Sequence, residues 1–283
     1  MRIGIAGARG FIGTSLTRAL VADGHEVVPF TSDHPVTSTE GRYAAQGLDG
    51  LVWAASSSTP ATVGYDPGSA SAELRMFRES LQALHGCDIP RIILISSGGT
   101  VYGGAGSPSR ETDPLLPVSE YGRLKAHIEH IAKEARPDTT ILRLSNVYGP
   151  GQLAKGGQGV LGHWLAAIAE NRPPIIYGNP AVARDYVYVD DCAAAIIAAL
   201  ETPGAVGATI NIGSGAPTSL GQLLAIVAEA TGKTVDAVYE SGRPFDNSST
   251  WLSIAEARRI LQWEPQTPLL DGVRAMWEWK AGR

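Results

Sequence analysis

Arg2-Ile3-Gly4-Ile5-Ala6-Gly7-Ala8-Arg9-Gly10-Phe11-Ile12-Gly13 decides the fold. The first five residues form a short β-rich run. Glycines then fall at positions 7, 10 and 13, and Phe11 to Asp23 carries apolar residues at the helical period. A strand that passes through a glycine turn directly into a helix is the first half of a parallel-strand crossover unit.

The same alternation continues to about residue 144. The pattern predicts strands at Arg2–Ala6, Glu26–Phe30, Gly50–Ala54, Arg91–Ser96 and Thr140–Leu144, with helices at Phe11–Asp23, Ala70–Leu84 and Tyr121–Ala135. The strand runs are mostly continuously apolar, as parallel strands covered on both faces should be. The expected fold is α/β, a doubly wound parallel sheet of Rossmann type. Beyond Asn146 the chain turns to Gly- and Pro-rich loops around expected helices at Val160–Glu170, Asp190–Glu201, Ser219–Thr231 and Ile254–Gln262. The division expected is a dinucleotide-binding domain over 1–147. Residues 148–283 are expected to form a smaller, mainly substrate-binding region, with some strands and helices returning to the core. A cleft is expected between the two.

Composition narrows the function classes. Of 283 residues, 44% are hydrophobic and 18% charged, which suffices for a sizeable core and excludes wholesale disorder. A net charge of -5 offers no basic surface for nucleic acid. Cys87 and Cys192 are too few for a disulfide framework and lack the clustered partners of a zinc site, so a reducing cytoplasm and no metal are expected. The longest apolar run, Ala193 to Leu200, falls far short of the roughly 20 residues that span a bilayer, so no membrane association is expected.

In the opening loop, Gly7 and Gly10 allow a tight turn and close backbone approach, Gly13 lets helix pack on strand, and the amides of Phe11, Ile12 and Gly13 face a pyrophosphate. A dinucleotide is the implied ligand. The acidic residue that usually binds the ribose 2'-hydroxyl at the end of the second strand is replaced by Thr31. Arg9 could pair with a 2'-phosphate, and Thr31 or Ser32 could hydrogen-bond it, so NADP(H) is favoured over NAD(H). The bland alternative for Arg9 is a solvated loop residue.

Tyr121-Gly122-Arg123-Leu124-Lys125 sets a phenol and an ammonium four residues apart on one helical face, where the cation is expected to lower the phenol pKa and make a proton shuttle. Upstream, Ile93-Leu94-Ile95-Ser96-Ser97-Gly98-Gly99-Thr100-Val101-Tyr102-Gly103 is a buried strand ending in hydroxyls at a carboxyl edge, where ligands bind in open α/β sheets. Taken alone, Ser96 reads as structural.

Together these motifs resemble the extended short-chain dehydrogenase/reductase superfamily, in particular its nucleotide-sugar epimerases, dehydratases and ketoreductases. The resemblance continues through Leu51 to Ser56, Arg143 to Gln152, Arg184 to Asp191, Asn211 to Gly215 and Arg243-Pro244. It implies NAD(P) on the first domain and a nucleoside-diphosphate sugar on the second, with a homodimer formed through Ala70–Leu84 and Tyr121–Ala135. Tyr121 is then the acid/base, Lys125 holds the nicotinamide ribose, and Ser97 or Thr100 supplies the catalytic hydroxyl. Ala54, Ala55, Ser56 and Leu144 line the cofactor, Asn146 meets cofactor and substrate, and Ser58, Thr100, Arg184 and Arg243 meet the substrate. For Arg184 the alternative is a salt bridge to Asp185 or Asp190, and Asp190 and Asp191 read as helix N-caps.

Four positions depart from the family pattern. Gly98 replaces the catalytic Ser or Thr, and His34 to Gly47 is too short for the usual third strand, loop and helix. Glu73 replaces a cofactor-contacting Asn, and Thr31 replaces an Asp. Gly99 and Thr100 stand where dehydratases carry an Asp-Glu pair, which disfavours dehydration. The reaction implied is 4-epimerisation through a 4-ketone, with NADPH-dependent 4-ketoreduction as the alternative. A regulator that senses NAD(P) without catalysis is the alternative of another class, and the retained Tyr121/Lys125 pair argues against it.

Overall fold

In the computed structural model, residues 1–66, 68–104, 108–153, 159–242 and 249–282 are described. The first half runs β1 (Arg2–Ala6), α1 (Phe11–Ala22), β2 (Glu26–Phe30), α2 (Thr39–Ala44), β3 (Gly50–Trp53), α3 (Pro60–Tyr65), α4 (Gly68–Ala83), β4 (Ile92–Ser97), α5 (Gly98–Val101), α6 (Glu120–Ala135) and β5 (Thr140–Leu144). The second half runs β6 (Asn146–Tyr148), α7 (Val160–Ala169), β7 (Ile175–Tyr177), β8 (Ala183–Arg184), β9 (Tyr186–Tyr188), α8 (Val189–Glu201), β10 (Thr209–Ile212), β11 (Thr218–Ser219), α9 (Leu220–Thr231), β12 (Val238–Glu240) and α10 (Leu269–Ala281).

The central sheet has six parallel strands in the order β10-β5-β4-β3-β1-β2. The chain moves from β1 outward to β2, then returns to the other side of β1 as β3. That reversal puts a crevice beyond the carboxyl ends of β1 and β3, where a Rossmann sheet takes its ligand. The register makes this edge continuous: Ala6 lies opposite both Phe30 and Trp53, Ser97 opposite Leu144, and Leu144 opposite Ile212. Gly7, Thr31, Ala54, Gly98 and Ser145 therefore leave the sheet on the same side. The segment expected to lack a third strand holds only α2, and β2 is an edge strand.

One face is covered by α1 and α8, through Leu16, Leu20, Ala193 and Ile196. The opposite face is covered by α4 and α6, through Phe77, Leu124 and Ile128. Both faces are thus shielded from water, which explains the buried, apolar strands. A separate cluster of Tyr148, Trp164, Leu223, Val273 and Met276 binds α7, α9 and α10 together. β10 returns to the main sheet from the second half of the chain.

The helix expected over Ile254–Gln262 is found over residues 255–261 and includes a π-helical stretch, Ala257–Leu261. One expectation is corrected. Asp190 and Asp191 lie in the first turn of α8 but do not cap it. Instead, Asp190 Oδ1 accepts from Ser15 Oγ at 2.5 Å and Arg18 Nη2 at 2.6 Å, and Asp191 Oδ2 accepts from the Thr267 amide, so they tie α8 to α1 and to the C-terminal segment. The stretch Leu269–Ala281, for which no element was expected, is α10, with Pro268 at its N-cap.

Candidate active site

The glycine loop is built as its spacing predicts. Gly7 has φ +85°, in the left-handed region, and its amide donates to Phe30 O, pinning the loop between β1 and β2. A Cβ on Gly13 would stand 2.2 Å from Gly7 O, so only glycine lets α1 approach the loop this closely. α1 has no side-chain cap and no acidic residue in its first turn, so its positive end is kept for an external anion. Ala54 donates to Ala6 O, and a Cβ on Gly7 would lie 2.8 Å from the Ala55 amide, which brings residues 54–56 against the same loop. Loop, helix terminus and β3 edge fit a dinucleotide diphosphate.

At the end of β2 the chain turns over residues 31–34, with the Thr31 amide donating to His34 O and Thr31 Oγ1 accepting from the His34 amide. This turn brings Asp33 Oδ2 to 2.5 Å from Arg9 Nη1. Asp33 went unnoticed in the sequence because it lies two residues past the usual acidic position; turn geometry returns a carboxylate to that edge. Ser32 is exposed beside it.

Tyr121 sits in the first turn of α6, which Ser119 caps by accepting from the Gly122 amide. Its residue surface is 9% exposed, and its hydroxyl has no hydrogen-bond partner among the described residues. Lys125 follows one turn later, with Nζ 5.4 Å from the Tyr121 ring centroid. Lys125 Nζ donates to Glu73 Oε1 at 2.8 Å and to Ser56 Oγ at 3.0 Å. Glu73, on α4 and 1% exposed, also accepts from the Ser58 amide at 2.8 Å, and Ser56 Oγ lies 2.9 Å from Oε1. Every member of this buried cluster is satisfied, as buried charges require.

The electrostatics depart from the sequence expectation. Burial pushes the Tyr121 phenol up, Lys125 pulls it down, and Glu73 pushes it up again, leaving it above the usual tyrosine value. Burial acts to lower the Lys125 pKa, but Tyr121 and Glu73 outweigh it and hold the ammonium above its usual range. Burial acts to raise the Glu73 pKa, yet Lys125 and the hydrogen bonds from Ser58 and Ser56 keep it below the usual carboxylate range. Lys125 is therefore a paired cation, and its field at the phenol is partly cancelled. Sequence reasoning singled out Glu73 only as a departure from a pattern; its pairing needed the α4–α6 contact.

Other expected residues divide between the cleft and its supports. Gly98 has no room for a side chain, since a Cβ would meet Leu252 Cδ1 at 2.6 Å and Arg143 O at 3.1 Å. Of the two candidate hydroxyls, Thr100 Oγ1 donates back to Ser97 O at 3.3 Å, while Ser97, half-buried at the end of β4, makes no helix-cap bond. α5 carries Thr100 onto α6, where a Cβ on Gly122 would lie 2.5 Å from Thr100 O. Ser58 is buried, its amide spent on Glu73 and its hydroxyl 3.4 Å from Ser69 O, so it supports Lys125 and does not offer its hydroxyl to the cleft. Leu144 is buried at the end of β5. Asn146 Nδ2 donates to Asp185 O at 2.9 Å, beside Gly99. Arg184 Nη1 donates to Ala183 O; Asp185 is committed to Ser214, Gly215 and Leu252, and Asp190 to α1. Arg243 lies outside the described residues.

Behind the site, Ser96 is structural as expected, its hydroxyl on Glu129. Glu129 in turn takes Arg143 Nη2 at 2.7 Å, and Arg143 Nη1 donates to Tyr102 Oη, joining β4, α6 and β5 in one buried network. Among the described residues no group of three or more His, Cys, Asp or Glu could hold a metal, and no helix is long and apolar enough to cross a membrane.

A Rossmann sheet with an open glycine-loop anion site and a Tyr/Lys pair at its carboxyl edge defines an NAD(P)-dependent enzyme. The chain belongs to the NAD dependent epimerase/dehydratase family, whose pattern it matches over residues 3–213. It is 30% identical to a UDP-glucose 4-epimerase of Mycolicibacterium smegmatis over 96% of both chains. It is 35% identical to a dTDP-4-dehydro-6-deoxyglucose reductase of Escherichia coli over 67% of this chain and 60% of that protein. The solved structure of UDP-glucuronic acid 4-epimerase from Bacillus cereus with UDP-glucuronic acid and NAD superposes with a TM-score of 0.91, at 25% identity, over 100% of this chain and 99% of that one.

Proposed function

We propose that this enzyme interconverts nucleoside-diphosphate sugars epimeric at C4 through a 4-keto intermediate. The observation that carries the reading is the Tyr121/Lys125 pair on α6, which Lys125 joins to Ser56 just past the carboxyl end of β3, on the edge of the sheet from which the glycine loop also leaves. Bound NAD(P) supplies a reversible hydride acceptor. Tyr121 takes the proton of the C4 hydroxyl and returns it; Lys125 fixes the cofactor ribose and the charge on the phenol; Ser97 or Thr100 hydrogen-bonds the reacting oxygen. Asn146, Arg184 and Arg243 bind the sugar diphosphate, with residues 148–283 as the substrate side. Proton NMR of purified enzyme with UDP- and dTDP-hexose pairs tests this: equilibration of C4 epimers without net cofactor consumption is expected.

One observation favours a second reading, NADPH-dependent reduction of a nucleotide 4-ketosugar. The likeness to the dTDP-4-dehydro-6-deoxyglucose reductase, at 35% identity over 67% of this chain, supports it. Stoichiometric loss of NADPH absorbance with a 4-ketosugar, and no epimer exchange, would establish the reductase instead.

The preference for NADP(H) rests on Arg9, Thr31 and Ser32. It requires Arg9 to exchange Asp33 for a phosphate, so Asp33→Asn should tighten NADP(H) binding relative to NAD(H). A tenfold preference of the wild type for NAD(H), about 1.4 kcal/mol, would overturn it. The exposed side of α4, where Leu74, Arg75, Arg78 and Gln82 line a hollow of about 600 Å³, is proposed to meet a second copy with α6, which sedimentation can test. The buried free thiols of Cys87 and Cys192 suit a cytoplasmic protein.

A further inference from the structure

We propose that Glu73 is a positioning residue of the proton-transfer site: its buried carboxylate anchors the Lys125 ammonium and opposes its charge at Tyr121. The inference deepens the proton-transfer role given to Tyr121 above and rests on it.

The geometry is specific. Glu73 comes from α4 and Lys125 from α6, and their 2.8 Å contact is buried on both sides, with side-chain exposures of 2% and 7%. Ser56 and the Ser58 amide, both from the segment after β3, occupy the remaining carboxylate positions. Two separate parts of the chain thus converge on the α4 carboxylate. An amide here could orient Lys125 but could not neutralise it. The charged groups acting on the Tyr121 phenol are Lys125 from its own helix and Glu73 from α4; α3, β4 and α5, which also pack on α6, contribute none among the described residues. Removing the negative member alone therefore exposes the phenol to an uncompensated cation.

The test uses the full-length protein without cofactor or substrate. Tyrosinate absorbance after rapid pH jumps, taken as the difference from Tyr121→Phe, isolates one phenol among nine tyrosines. Glu73→Gln should move that titration down by about one pH unit, and Glu73→Asp, which keeps the charge, should restore it to within about half a unit of wild type. A Gln variant shifted down by less than about half a unit, or upward, overturns the proposal. If Glu73→Gln does not fold, Glu73→Gln/Lys125→Met is compared with Lys125→Met, so that the carboxylate is removed where the cation is already gone. A double variant titrating at least about half a unit below Lys125→Met supports the opposing charge of Glu73, and a smaller difference or a rise overturns it. Because no turnover is read, absence of nucleotide-sugar activity would count against the proposed function and leave this result standing.

Discussion

Replacing Gly13 by Ala perturbs the cofactor loop at a position the structure constrains tightly. The added Cβ would stand 2.2 Å from Gly7 O and 2.9 Å from Ala8 Cα, whereas ordinary contact begins at 3.4 Å. Both neighbours are backbone atoms of the turn itself, so no side chain can swing aside. The loop and the start of α1 must separate by about 1 Å, which for overpacking in a dense interior costs about 1–3 kcal/mol. In a chain of this size each kcal/mol lowers Tm by about 2–4 °C. The same displacement pulls the Phe11 and Ile12 amides from the bound phosphates; losing about 1.4 kcal/mol there weakens NAD(P) tenfold. Differential scanning calorimetry and isothermal titration with NAD+ and NADP+ measure both effects. Gly221→Ala is the control, since its Cβ would meet nothing closer than Pro180 O at 3.8 Å, and it should be neutral or slightly stabilising. A Gly13→Ala protein with unchanged Tm and a Kd within twofold of wild type would refute the close-packing argument.

Glu129→Gln leaves Arg143 buried against a neutral amide, and urea unfolding should show a loss of about 3–5 kcal/mol, while exposed pairs such as Arg172–Glu170 should cost under about 1 kcal/mol. Gly98→Ser should lower both stability and turnover through its clash with Leu252, and Gly98→Ser/Leu252→Ala should recover part of the stability, as read by Tm. Stability also carries a pH signature. Glu73 titrates below its unfolded value, so its contribution is full above that value and is lost as pH falls through the folded pKa; Lys125 titrates above its unfolded value, so its contribution is lost only as pH rises through the folded pKa. Glu73→Gln should remove the part of the acid-limb decline in unfolding free energy that this carboxylate supplies.

The main sheet was legible because its strands are buried on both faces, which forces continuous apolar runs, and because glycines mark the turn from β1 into α1, where backbone must meet backbone. Strands of two or three residues, such as β8 and β11, left no such trace; they form because Ala183 and Arg184 meet Ser219 and Thr218 across long sequence separations. The site divided in the same way. Tyr121 and Lys125 share one helix, so spacing alone placed them together. Glu73 and Ser56 reach Lys125 from separate elements, and Leu252 fills the space beside Gly98 from far along the chain. Asp33 was hidden by a turn whose shape the sequence does not spell out.

The central claim is that the Tyr121 phenol carries the proton at C4 of a nucleotide-linked sugar. Comparing wild type with Tyr121→Phe under saturating NAD(P), by NMR on C4-epimeric pairs and by NADPH absorbance on a 4-ketosugar, tests it most directly. Turnover in at least one assay, falling about 10²–10⁴-fold in the variant with cofactor affinity preserved, is the expected result. A variant as active as the wild type, or a cofactor-loaded wild type inert in both assays, would contradict it.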